Sequence, residues 1–194
     1  MESKSPTREK IVAAGRRAML AHGYDGTGLG PLLASVAVPK GSFYHFFASK
    51  EEFAGAVLAA YAEHYRQLRQ TQFADAALSP MTRLERHLAH LEQESISEQG
   101  VAGCLYGVLA QAAPALGEDL RAQLKAVFAL WEQDLAALIA EAQQAGELDA
   151  GLDPAEAAAF VIDAYEGAVI RARAGDVAAF TRFRTFTLAA LRSR

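Results

Sequence analysis

The sequence predicts an all-α fold of about nine helices, with a small three-helix N-terminal domain over residues 1–50 and a larger helical domain over residues 51–194. Three observations lead there. Hydrophobic residues make up 52% of the chain; Ala and Leu dominate, whereas the β-branched residues that favour strands are thinly scattered. In segment after segment the apolar residues return every three or four positions, the period of one helix face. Residues that start and stop helices punctuate those segments: Ser, Thr or Asp ahead of Pro or acidic residues, and Gly at the far end.

Taken in order, the first helix is expected to be capped by Thr7, with Glu9 in its opening turn and Ile11, Ala14, Gly15, Ala18, Met19 and His22 along one side as far as Gly23. Gly26-Thr27-Gly28 breaks the chain. A short helix follows, with Pro31 near its start and Leu32, Leu33 and Val36 inward; Ala37-Val38-Pro39 then turns into a second short helix from Lys40 to Phe47. Ser49-Lys50-Glu51-Glu52 reads as a capping box, in which the Ser49 hydroxyl accepts from the Glu52 N–H and the Glu52 carboxylate accepts from that of Ser49. It opens a helix of about 20 residues whose inward side carries Phe53, Val57, Tyr61, His64 and Leu68.

Ser79-Pro80 opens the next helix, with Leu84, Leu88 and Leu91 on one face, fading towards Gly100. Cys104 to Ala112 forms a shorter segment ended by Pro114. Glu118 and Asp119 lead the most apolar helix, which carries Leu120, Leu124, Val127, Phe128, Trp131, Leu135, Leu138 and Ile139 and stops at Gly146. Asp153-Pro154 starts a helix with Phe160, Val161, Ala164 and Ala168 on one face, and Gly175-Asp176 separates it from a last helix bearing Phe180, Phe183, Thr187 and Leu191.

Several function classes drop out. No apolar run reaches the roughly 18 to 20 residues of a membrane span, and Met1 to Pro6 leads into no signal-peptide core, so a cytoplasmic protein with no membrane partner is expected. The single cysteine, Cys104, excludes an internal disulfide and a cysteine-rich zinc site. Of the five histidines, at 22, 45, 64, 87 and 90, only His87 and His90 share a helix at close spacing, and that pair reads as a solvated face. No paired carboxylates, nucleophile–base arrangement or nucleotide-binding glycine pattern stands out, so neither an enzyme nor a cofactor is expected.

The net charge of −4 conceals an asymmetry: residues 1–50 hold seven Lys and Arg against three Asp and Glu, net +4, leaving net −8 for residues 51–194. A basic head on an acidic body suits a nucleic-acid-binding module joined to a regulatory one. A short helix, a tight turn and a second short helix, backed by a longer first helix, form a DNA-reading unit. The second short helix crowds Lys40, Gly41, Ser42, Tyr44 and His45 into six residues, a surface suited to phosphates and base edges. Gly41 costs about 1 kcal/mol of helix propensity relative to Ala, and a close approach of backbone to DNA would explain it. Phe43 and either Phe46 or Phe47 are expected to face back into the core.

The stretch from Thr7 to Val57, with Gly23-Tyr24, Thr27, Lys40-Gly41-Ser42-Phe43-Tyr44-His45-Phe46-Phe47 and Ser49-Lys50-Glu51, resembles the N-terminal domain of TetR-family regulators. The resemblance implies a helix-turn-helix repressor, nucleoid-associated, that binds a double-stranded DNA operator as a homodimer and answers to a small-molecule effector. It implies that Thr27 and Lys50 flank the site as phosphate anchors, that Lys40, Gly41, Ser42, Tyr44 and His45 face the DNA, and that the last two helices dimerise. Ala37 stands where the family's turn usually has Gly, which suggests a slightly different turn. Gly30-Pro31 replaces more polar residues at the start of the second helix, which suggests fewer contacts there.

In the body, Gly103-Cys104-Leu105 followed by Leu109-Ala110 resembles a segment found in several branches of this family, including regulators of reactive electrophiles and unsaturated acids such as acrylate. Cys104 is read two ways, as a small core residue or as an electrophile or oxidant sensor. Trp131 and Tyr106 are likewise divided between packing the core and lining a ligand pocket, to which Gln111 and Glu166 would add polar handles. Phe160, Phe180 and Phe183 exceed what the last helix pair is expected to bury against one body, which assigns them to the dimer interface. A ligand that moves the protein from mostly bound to mostly released needs about 5.5 kcal/mol of differential affinity.

Overall fold

The computed structural model describes residues 5–97 and 100–192. Among them are nine α-helices: α1 (Pro6–Gly26), α2 (Leu29–Ser35), α3 (Lys40–Phe46), α4 (Lys50–Phe73), α5 (Pro80–Ser95), α6 (Leu105–Gln111), α7 (Glu118–Gln144), α8 (Pro154–Arg173) and α9 (Ala178–Leu191). The all-α expectation holds, with one addition. Instead of fading towards Gly100, α5 ends at Ser95 and the chain forms a two-stranded antiparallel ribbon, β1 (Ile96–Ser97) and β2 (Gly100–Val101). Two residues per strand are too few to leave a period-2 signal in the sequence.

Helix ends follow local chemistry, with two corrections. Ser5, not Thr7, is the N-cap of α1, because Pro6 at the first position presets the helical φ and needs no N–H partner. At α4, Ser49 Oγ accepts from the Glu52 N–H at 3.0 Å as expected, but the Glu52 carboxylate returns to the Ala48 N–H at 2.7 Å rather than to Ser49. Ser79 caps α5 through the Thr82 N–H, and Asp153 caps α8 through the N–H groups of Ala155 and Glu156.

The chain divides into two compact units, which share α4 and α7 between them. The first holds the residues up to His64 together with Leu105–Val127. Its core is aromatic: Phe43, Phe47 and Phe53 pack with ring centroids 5.2 to 5.4 Å apart, on Ile11, Met19, Leu32 and Leu33, all buried. α1 packs against α2, α3 and α6. Gly15 lets α1 come close to α4: a methyl there would overlap the Phe53 ring and lie 2.8 Å from Val57 Cγ2. Tyr61 of α4 meets Tyr106 of α6 edge-on at 5.3 Å, and Gln123 of α7 donates to the Gly55 carbonyl at 3.0 Å.

The second unit holds Tyr65–Cys104 and the residues from Phe128 onward. α8 and α9 pack on each other, and α5 packs on α9. Leu84, Leu88, Leu135, Ile139, Val161 and Phe180 form its core. Polar groups penetrate it. Arg69, 3% exposed, donates through Nε to Asp134 Oδ2 at 2.8 Å, and Arg83 bonds the Phe73 carbonyl and Glu141. His87 corrects the expectation of a solvated His87–His90 face: it is 2% exposed, its Nδ1 lies 3.0 Å from Gln72 Oε1, and its ring meets Phe73 edge-on. The reason is its place beside Leu84, Leu88 and Leu91, on the stripe that α5 buries.

Candidate functional site

α3 is built as a presented helix. Pro39 holds the extended conformation that precedes it, and the Ser42 N–H closes the first turn on the Pro39 carbonyl at 3.0 Å. Phe43, 0% exposed, and Phe47, 1% exposed, stand four residues apart and clamp it to the core. The opposite side faces outward: Lys40, Gly41, Tyr44 and His45 are exposed, Ser42 and Phe46 half-buried. A Cβ on Gly41 would meet nothing within 4 Å, so no described residue of this chain requires a glycine there.

The turn into α3 keeps the backbone a glycine would adopt. Ala37 has φ 53°, the one non-glycine residue in the left-handed region among the described residues, which corrects the expectation of a different turn. Lys50 is half-buried, its Nζ 3.4 Å from the Asp25 carbonyl oxygen and 4.7 Å from the Tyr24 ring centroid, so it ties the start of α4 to the end of α1. Thr27 stands apart from these. It is 2% exposed, and its hydroxyl donates to the Gly23 carbonyl at 2.7 Å, which gives it a local role in holding the α1–α2 corner.

Of the five residues expected to line an effector site, three belong to the second unit. Cys104, 4% exposed, donates to the Glu166 carboxyl. Burial raises that carboxyl to about 7, the bond from Cys104 offsetting part of the shift, and its Oε1 has no hydrogen-bond partner. Trp131 is buried edge-on against Tyr165 at 5.8 Å, and the Tyr165 hydroxyl lies 2.7 Å from Ser95 Oγ. Tyr106 is buried in the first unit against Tyr61, and Gln111 is exposed, its amide donating to the Gly107 carbonyl of its own helix.

Sequence reasoning missed the other polar residues of this core: Arg69, 5.8 Å over the Trp131 ring, together with Ser95, Tyr165 and His87. The one available signal was their helical register with neighbouring Leu, Val and Ala. The Phe residues of the last two helices divide. Phe180 and Phe183 are 0% and 5% exposed, buried against Tyr165, which corrects the argument that one body could not cover them. Phe160 is 47% exposed and turns away from Val161, and it is joined by Ile170 and Phe186 at 53% and 68%. Among the described residues, no helix is long and apolar enough to cross a membrane.

The family model for bacterial regulatory proteins, tetR family, matches residues 11–57, and that for the tetracyclin repressor-like C-terminal domain matches residues 80–187. The chain is 39% identical over 171 residues to the transcriptional regulator AcuR of Cereibacter sphaeroides, covering 87% of this chain and 77% of that one. It is 31% identical over 169 residues to the HTH-type transcriptional repressor DhaR of Mycobacterium sp. strain GP1, covering 87% and 83%. Among solved structures, the regulatory protein TetR from Rhodobacter sphaeroides superposes with a TM-score of 0.89 at 33% identity, covering 96% of this chain and 100% of that one. With both halves of the chain matched and the helix-turn-helix in place, the protein belongs to the TetR family of bacterial transcriptional regulators.

Proposed function

We propose that this protein is a cytoplasmic, nucleoid-associated repressor that holds a near-palindromic operator as a homodimer and is released by a small molecule bound in the second unit. One observation carries the DNA half of the reading: α3 exposes Lys40, Gly41, Tyr44 and His45 while Phe43 and Phe47 anchor it, and Gly41 answers to no neighbour among the described residues. A side-chain-free helix surface beside a lysine suits close approach to a duplex. A single short helix reads only a few base pairs, which calls for two copies on symmetric half-sites. Lys50, Tyr44 and His45 supply phosphate contacts.

The effector half rests on the polar core of the second unit. Buried polar groups are nearly always hydrogen-bonded, and an unpartnered Glu166 Oε1 beside Cys104 marks where a ligand's donor would fit. Reversible binding is preferred over covalent sensing by Cys104. A reactive thiolate is favoured by a nearby cation or a helix N-terminus; Cys104 does precede α6, but it is buried and the group it bonds is a carboxyl, which holds the thiol protonated. α4 carries residues of this unit in its second half and Lys50 in its first turn, so a tilt imposed on the far end reorients the DNA face.

The test is affinity for duplex selected from a random library. Affinity is expected to fall steeply with salt, and Tyr44→Ala with Lys50→Ala to weaken it at least about tenfold. Gly41→Ala should stabilise the fold by about 0.5–1 kcal/mol and yet weaken operator binding. Salt-independent binding, or unchanged affinity in all these variants, would remove the reading.

A further inference from the structure

Within the first unit, a half-open cavity of about 530 Å³ lies between α1 and α4, inside the size range of small-molecule sites. Its floor is apolar, formed by the buried Val12 and Val57. Its rim is cationic: Arg8, Arg16 and Arg17 face it against the one carboxylate of Glu9. Two of the guanidinium groups are held over aromatic rings, Arg8 at 5.1 Å from the Phe47 centroid and Arg16 at 5.8 Å from that of Tyr61. Stacking of this kind occupies the flat face and leaves the N–H edge for an acceptor. None of these residues belongs to the outward side of α3 or to the polar core of the second unit.

We propose that this groove binds a small amphipathic anion, an aromatic or aliphatic body carrying one carboxylate, sulfonate or phosphate. The anionic group sits on Arg16 and Arg17, and the body lies along Val12, Val57 and Ala60. A concave pit with an apolar floor fits such a molecule better than a duplex backbone, which asks for an extended row of cations. Tyr61 lines the groove and also packs on Tyr106 of α6, while α1 is the helix on which α2 and α3 rest. An occupant therefore bears on the helix-turn-helix by a route separate from the effector core.

Anilinonaphthalene sulfonate, and the neutral N-phenylnaphthylamine beside it, are titrated by fluorescence into the full-length protein. The sulfonate should bind saturably, and Arg16→Gln with Arg17→Gln should weaken it at least about tenfold while changing the neutral dye less than about twofold. Ala60→Phe, at an exposed position where folding is not at stake, should weaken both dyes. Sulfonate affinity retained in the two-arginine variant, or both dyes lost equally from it, overturns the proposal. A two-arginine variant that keeps the sulfonate but loses random-sequence duplex about tenfold also overturns it, and assigns those arginines to the DNA backbone. The dye readout needs no operator, so its failure is distinct from failure of the repressor reading.

Discussion

Ala37 sits at φ 53° in the turn between α2 and α3, where an L-residue costs roughly 1–2 kcal/mol relative to glycine. Ala37→Gly removes that cost and returns only part of it as unfolded-chain entropy, so it should stabilise the protein by about 0.5–1 kcal/mol in urea unfolding. Two buried titratable residues act on stability in opposite senses. Glu166 is lifted from 4.5 to about 7 by burial; between those values the folded state keeps a proton that the unfolded chain releases, so this group lowers stability as pH rises. His87 is pulled from 6.5 to about 3 by burial, then by Arg69 and His90; below about 6.5 the unfolded chain takes a proton the folded state refuses, so this group lowers stability as pH falls. Glu166→Gln should therefore gain up to about 3 kcal/mol at pH 8 and little at pH 4.5. Urea midpoints across that range check it, and an equal gain at both ends would count against the buried acid.

At the scale of elements, the contact between α1 and α4 rests on one missing side chain. Alanine is the better helix former by about 1 kcal/mol, but at Gly15 its methyl would overlap Phe53, itself wedged against Phe43 and Phe47. Overpacking a core of this kind costs about 1–3 kcal/mol or more, since Phe53 cannot move without displacing the rings that anchor α3. Gly15→Ala should lower stability by about 2 kcal/mol and weaken DNA binding with it; a variant more stable than wild type in urea would show the overlap to be relieved elsewhere. The sequence made the helices themselves legible, because caps and periodicity act over a single turn. It did not reveal the β1–β2 ribbon, whose four residues carry no periodic signal, nor the reach of Glu52 past Ser49 to Ala48.

For the whole molecule, the large apolar residues left outside on α8 and α9 are Phe160, Ile170 and Phe186, not Phe180 or Phe183. Paired burial of such surface is the usual reason it is retained, and a two-fold arrangement lets each residue serve both copies. Phe160→Glu with Phe186→Glu should yield a folded monomer at micromolar concentration by sedimentation, with operator affinity reduced because one α3 reads half a site. A dimer that survives both substitutions would move the interface elsewhere.

What the sequence determined by itself was the fold class, the nine helices among the described residues, the excess of basic residues in the first 50 positions, the outward residues of α3 and the family. Each is written in neighbours no more than a few residues apart, or in composition. Tertiary structure alone decided which polar residues are inside. Thr27 became a corner residue bonded to Gly23, His87 and Arg69 went under the surface, and Cys104 met the Glu166 carboxyl across 62 positions of sequence. It also turned Phe160 outward and Phe180 inward. The physical reason is the same throughout: a helix face is set by its own period, but whether that face meets water or another helix depends on residues far away in the chain.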